Sequence, residues 1–125
     1  MTQEEKQLLL KDLCARIPYH TLVQLNPGAY NKPETCLLCG IDGEEVYLNV
    51  DSDPFRINNI RPYLRPMSSM TEEEENEYRA INCYEGMFPC NENALDYALE
   101  HHFDFRGLIE KGLALEAPEG MYKTE

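Results

Sequence analysis

The chain has 125 residues, 42% of them apolar, with eight Tyr and four Phe. That is enough for one domain with its own core, so folding requires neither disulfides nor a structural metal. A formal charge of −12, from 23 acids against 11 lysines and arginines, opposes general binding to nucleic-acid phosphates or anionic membranes and favours a basic protein partner.

Residues 2–16 predict an amphipathic helix. Thr2 and Glu5 make a capping-box pattern at its start, Leu9, Leu10, Leu13 and Ile17 share one face, and Pro18 ends it. Residues 19–60 predict an antiparallel meander of three or four strands. Tyr19 to Leu25 is the first, Asn26-Pro27-Gly28 a turn, and Thr35 to Ile41 the second. Asp42-Gly43 marks a tight hairpin because glycine accepts positive φ. Glu45 to Val50 follows with Val46, Leu48 and Val50 on one face, and Phe55-Arg56-Ile57 is a short fourth strand. The alternative is a small SH3-like barrel. Ile60 to Pro66 would then be the irregular or 3₁₀ segment after the last strand, since Pro62 and Pro66 oppose a regular helix or a central strand.

Thr71 and Glu74 form a second capping box for a helix over 71–80, with Tyr78 and Ile81 as its buried contacts. Asn91 or Asn93 caps a third helix over about 93–102, with an Ala94, Leu95, Ala98, Leu99 stripe. A short fourth helix over 106–111 is closed by Gly112. Residues 119–125 read as a frayed tail. The expected class is therefore α+β in a single domain over 1–125: helix, meander, then a helical C-terminal part over 71–118.

No apolar run reaches the roughly 18 residues of a membrane helix. The polar start from Met1 to Lys6 lacks the basic region of a secretory signal. A cytoplasmic location without membrane association follows, with the five cysteines reduced.

Charge is polarised along the chain. Residues 1–16 are neutral, 51–66 carry +1 and 67–92 carry −6. Two candidate contact sites follow. Arg56, Arg61 and Arg65, interleaved with Tyr63, form a basic stripe of the kind that touches nucleic acid or a partner. Glu72, Glu73, Glu74 and Glu75 form an acidic face that can mimic nucleic-acid phosphates or dock a basic protein. Cys36 and Cys39 stand i, i+3 in a predicted strand, which sends their thiols to opposite faces. With Cys83 and Cys90 they lack zinc-knuckle spacing, so no metal and no cofactor is expected. His101 and His102 read as an exposed pair at a helix end, joined with Asp104 and Arg106 in a local salt-bridged group. His20 reads as structural. There is no phosphate-binding glycine loop, no nucleophile elbow and no His-Glu-x-x-His, and no catalytic residue is assigned.

Three stretches carry a resemblance: Leu10-Lys-Asp-Leu-Cys-Ala-Arg-Ile-Pro-Tyr19, the run from Ile60-Arg-Pro-Tyr-Leu-Arg-Pro66 to Glu74, and His101-His-Phe-Asp-Phe-Arg106 on to Pro118. Together the chain resembles small uncharacterised proteins of gut anaerobic bacteria, often in prophage-like or mobile-element settings. The resemblance implies a bacterial, cytoplasmic origin and no activity or site residue. The functional expectation is a non-enzymatic protein-interaction module. The alternatives are an acidic inhibitor or nucleic-acid mimic that binds a basic host protein, and a weak nucleic-acid-binding barrel.

Overall fold

The structure, a computed structural model, describes residues 2–25, 34–50, 52–82 and 88–122. The fold is α+β: an N-terminal helix, a mixed sheet and later helices.

Helix α1, Gln3–Arg16, begins where Thr2 caps it. The Thr2 hydroxyl accepts the Glu5 N–H at 3.1 Å, and the Glu5 carboxylate accepts the Thr2 N–H at 2.8 Å. Leu9, Leu10 and Leu13 are buried as their spacing predicts. Ile17–Tyr19 forms a 3₁₀ turn with Pro18 inside it, and His20 takes a left-handed φ of 55°. These residues reverse the chain, so β1 is shorter than expected, Leu22–Leu25.

β2, Glu34–Asp42, β3, Glu45–Leu48, and β4, Phe55–Arg56, complete the antiparallel meander. The hairpin falls one residue later than predicted. Asp42 pairs with Glu45, and Gly43 supplies the positive φ of 64°. β3 ends at Leu48 because Asn49 takes over the Leu37 backbone: its side-chain oxygen accepts the Leu37 N–H at 2.9 Å and its own N–H donates to the Leu37 carbonyl at 3.2 Å. Val50 therefore lies beyond the strand and is exposed rather than on the core face.

The meander does not close into a barrel. After a 3₁₀ turn at Ile57–Asn59 the chain forms β5, Ile60–Pro66, along the free edge of β1. Two-residue strands β6, Phe103–Asp104, and β7, Leu115–Glu116, then pair with β5 in parallel. The sheet order is β4-β3-β2-β1-β5-β6, with β7 also on β5, and the sheet stays open. β5 corrects the reading of Ile60 to Pro66 as irregular. Pro62 sits at the end of the β1 ladder, opposite Val23, and Pro66 at the end of the β6 ladder, opposite Asp104. At a ladder's end a missing N–H costs least.

Thr71 caps α2, Glu72–Ile81, with Glu74 completing the box, and Asn91 caps α3, Glu92–Glu100. α3 stops two residues short of the expected 102. His101 is its C-cap, and His102 reverses the chain at φ 62° into β6. The expected helix over 106–111 is a run of turns instead. The Asp104 carboxylate takes the N–H groups of Leu108 and Ile109 at 2.8 and 2.9 Å. Gly112, at φ 75°, donates to the Ile109 carbonyl while Leu113 donates to that of Leu108. Those two bonds are a helix's closing pattern on a segment with no helix before it.

α1 and the segment around Leu108, Leu113 and Ala114 pack on one face of the sheet, against residues such as Val23, Leu38, Val46, Leu48 and Leu64. A second cluster joins Tyr78 of α2 and Tyr97 and Leu99 of α3 to Phe103 and Phe105. A buried ionic group involves both layers. Arg16 donates to Asp12 at 2.7 Å and to the Phe103 carbonyl at 2.8 Å, Arg106 donates to the other Asp12 oxygen at 3.0 Å, and both guanidiniums face the Phe105 ring.

The tail is tied down as far as Tyr122, against the expectation of fraying, while 123–125 lie outside the described residues. The Tyr122 ring stacks on His102 at 3.7 Å. Its hydroxyl accepts the Leu22 N–H at 2.8 Å and donates to the Tyr63 carbonyl at 2.8 Å. Tyr122→Phe strands a strand N–H and a carbonyl, and should cost about 1–3 kcal/mol. Urea unfolding checks this. A midpoint equal to that of the parent chain would mean the hydroxyl anchors nothing.

Candidate docking surface

The two-residue period of β5 places Arg61, Tyr63 and Arg65 on one face, opposite buried Ile60 and Leu64. Arg56 is not with them. It lies on edge strand β4 opposite Glu45, near Lys6 and Glu44. The three aligned residues are also engaged. Arg61 donates to the carbonyls of Asn58 and Ile60, and the Tyr63 hydroxyl accepts from Gln24 at 3.2 Å.

Arg65 meets one of the predicted acids. It holds Glu74 through two bonds of 2.7 and 2.9 Å, stacks over Phe103 at 4.4 Å, and reaches the Ser69 carbonyl at 3.4 Å. The same Glu74 carboxylate accepts the Thr71 N–H at 2.9 Å. The Arg65 hydrogen bonds, followed by the Thr71 N–H, hold the Glu74 carboxyl at about 2 against the opposing effect of its partial burial. One member of each predicted site is thus consumed in fixing α2 against the end of β5.

The other acids divide. Glu75 pairs along the helix with Arg79 at 2.6 Å. Glu72, Glu73 and Glu77 are exposed, and among the described residues none has a cation partner. With Thr71 and Asn76 they line a broad depression along α2.

Thr71 also lines a cleft of about 540 Å³, bounded by Arg65, Ser68, Ser69 and Glu74 on one side and by Glu116, Glu119 and Tyr122 on the other. Glu116 and Glu119 carried no local signal in the sequence. They arrive because β7 pairs with β5 and Ala117 donates to the Leu64 carbonyl at 2.8 Å. The one readable hint was a tyrosine beyond Pro118, an expensive side chain to leave in a free tail. Burial pushes the Tyr122 phenol up to about 12, so it serves the cleft wall as a neutral hydroxyl.

No family model, curated protein or solved structure matches this chain. The site therefore stands on its geometry.

The remaining sequence candidates scatter. Cys36 is buried and Cys39 exposed, as their strand spacing requires, Cys90 is exposed, and Cys83 lies outside the described residues. Among the described residues no three Cys, His, Asp or Glu side chains are grouped to hold a metal. His20 is exposed. The two adjacent histidines are not an exposed pair. His101 is half-buried, donates through Nδ1–H to the Tyr97 carbonyl at 2.9 Å, and stacks on the Tyr97 ring. His102 is only 8% exposed, and its Nδ1 has no hydrogen-bond partner among the described residues. Burial drives its pKa down to about 4, reinforced by the positive charges of Arg16 and Arg65. Nor is the group from His101 to Arg106 locally salt-bridged. Asp104 caps a turn, and Arg106 reaches Asp12 on α1, 94 residues away in sequence. Among the described residues no helix is long and apolar enough to cross a membrane.

Proposed function

We propose that the protein is a non-catalytic interaction module that docks a basic segment of a partner protein along one continuous acidic surface. The observation that carries this reading is the position of Thr71. It belongs both to the cleft walled by Glu116 and Glu119 and to the exposed side of α2 with Glu72, Glu73 and Glu77. The cation at this surface, Arg65, is already neutralised by Glu74. A lysine- or arginine-rich segment crossing α2 into the cleft meets unpaired carboxylates at both ends, and the hydroxyls of Ser68, Ser69 and Thr71 between them. The resemblance to bacterial prophage-associated proteins would set such docking in a mobile-element system.

A nucleic-acid contact through the arginine stripe is the weaker reading. Arg65 is spent, Arg56 lies on another edge, and the cleft beside the stripe is acidic, so a phosphate backbone gains little there.

Exposed ion pairs contribute roughly 0.2–1 kcal/mol each, so three glutamates together are worth about tenfold in affinity. A fluorescent arginine-rich peptide should bind the full chain with an affinity that falls as salt rises. It should bind the triple variant Glu72→Gln, Glu73→Gln, Glu77→Gln about tenfold more weakly. Equal binding by that variant, or by a neutral peptide of the same length, would overturn the assignment.

A further inference from the structure

Beside Leu95 of α3, the chain presents an aromatic ring to solvent and holds it there. Asn82 donates to the Phe88 carbonyl at 3.2 Å and accepts the Cys90 N–H at 2.8 Å, so the backbone is pinned on both sides of Pro89. Phe88 is nevertheless 58% exposed, the most exposed large apolar side chain among the described residues. Its ring meets the edge of buried Phe105 at 5.7 Å. Together with Pro89, Leu95, Lys11 and Arg106 these rings line a notch of about 320 Å³, room for one large side chain.

The charged side chains that line this notch are opposite in sign to the molecule as a whole. No described lining residue is acidic. Lys11 is exposed and pairs with no acid among the described residues. Arg106 shares the single carboxylate of Asp12 with Arg16, so two guanidiniums stand against one carboxylate behind the apolar floor. In a chain of net charge −12, a local positive excess beside an exposed aromatic ring repels basic partners and attracts acidic ones.

We infer that this notch receives an acidic segment of a partner protein, which packs one aromatic or large aliphatic side chain on Phe88 and Phe105 and sets its carboxylates beside Lys11 and Arg106. The segment's apolar side chain gives affinity by covering a ring already held in place. Its acids set orientation, and Lys11 and Arg106 exclude the basic segments that the α2 surface attracts. The notch shares no residue with the acidic surface, so either assignment can fail without the other.

The test is a titration of the isotope-labelled full chain, followed by NMR, with a blocked peptide of sequence Asp-Glu-Phe-Asp-Asp. Two controls accompany it: one with the acids replaced by Asn and Gln, one with Phe replaced by Ala. The expected result is saturable shifts at Lys11, Phe88, Leu95, Phe105 and Arg106, lost with either control. Binding should weaken about tenfold in Phe88→Ala and at least about fivefold in Lys11→Glu. Both positions are solvent-exposed, so the rest of the spectrum should be unchanged. An absence of saturable shifts, equal binding of the uncharged peptide, or no effect of Lys11→Glu would overturn the proposal. So would shifts at these residues that grow with protein concentration alone, which assign the notch to a second copy of the chain.

Discussion

Asp12→Ala is expected to destabilise the protein by about 3–5 kcal/mol, the usual cost of leaving buried charge uncompensated, whereas Arg16→Met is expected to cost much less. Asp12 and Arg16 are both fully buried, and Arg106 is 15% exposed at its side chain. The charges do not balance, because one carboxylate serves two guanidiniums. Removing Asp12 leaves both cations beside the Phe105 ring with no carboxylate between them. Removing Arg16 leaves a matched Asp12–Arg106 pair and also removes the Arg16 Nη1 group, which is buried with no hydrogen-bond partner among the described residues. What Arg16→Met loses is the bond to the Phe103 carbonyl and its own bonds to Asp12, which keeps Arg106, and methionine fills much of the vacated volume. That places its cost at about 1–2 kcal/mol. Urea unfolding at neutral pH, compared at constant slope, decides the matter. Equal losses in the two variants would show that charge imbalance does not govern this group.

Acidification should destabilise the protein in two stages with different owners. His102 has a folded pKa near 4 against an ordinary 6.5, through burial and the neighbouring cations. The unfolded chain therefore binds the proton first, and stability falls as pH drops from about 6.5 to about 4. Glu74 has a folded pKa near 2 against 4.5, through the Arg65 hydrogen bonds. Its contribution is complete above about 4.5 and is lost as pH falls toward 2. By linkage the shift of buried His102 corresponds to at most about 3–4 kcal/mol, and that of Glu74 to less, because solvent screens its pair with Arg65. His102→Asn keeps a residue tolerant of the left-handed φ of 62° and should flatten the decline between pH 6.5 and 4. Glu74→Gln should lower stability at pH 7 and flatten the decline below 4.5. If His102→Asn lost stability between pH 6.5 and 4.5 as steeply as the parent chain, the buried imidazole would not be the first group to take a proton.

These predictions concern contacts of very different legibility. The two capping boxes were readable because Thr2 with Glu5, and Thr71 with Glu74, satisfy N–H groups three residues away. The meander was readable because Val46 and Leu48 alternate with polar neighbours and Gly43 permits the turn. The closing glycine at 112 was readable, but the helix before it was not formed. Asp104 captures the N–H groups of Leu108 and Ile109 from a position fixed by β6. Of the candidate site, the glutamates of α2 were visible as a charge run. That Glu74 is spent on Arg65 while Glu72 and Glu73 stay free was not, because it depends on where β5 ends relative to α2.

The sequence by itself determined the class, the N-terminal helix, the antiparallel meander, the helix starts and the uneven charge. All of these are written in spacings of two to four residues and need no distant partner. Only the tertiary structure decided that the sheet stays open, that a strand with two prolines lies within it, and that β6 and β7 exist at all. Strands of two residues have no periodicity to read and persist only because β5 offers them hydrogen bonds. The tertiary structure also decided what the charges do. Asp12 and Arg106 meet from opposite ends of the chain, and Arg65 and Glu74 cancel. The acids left over, Glu72, Glu73, Glu116 and Glu119, are gathered by chain crossings that no local pattern encodes.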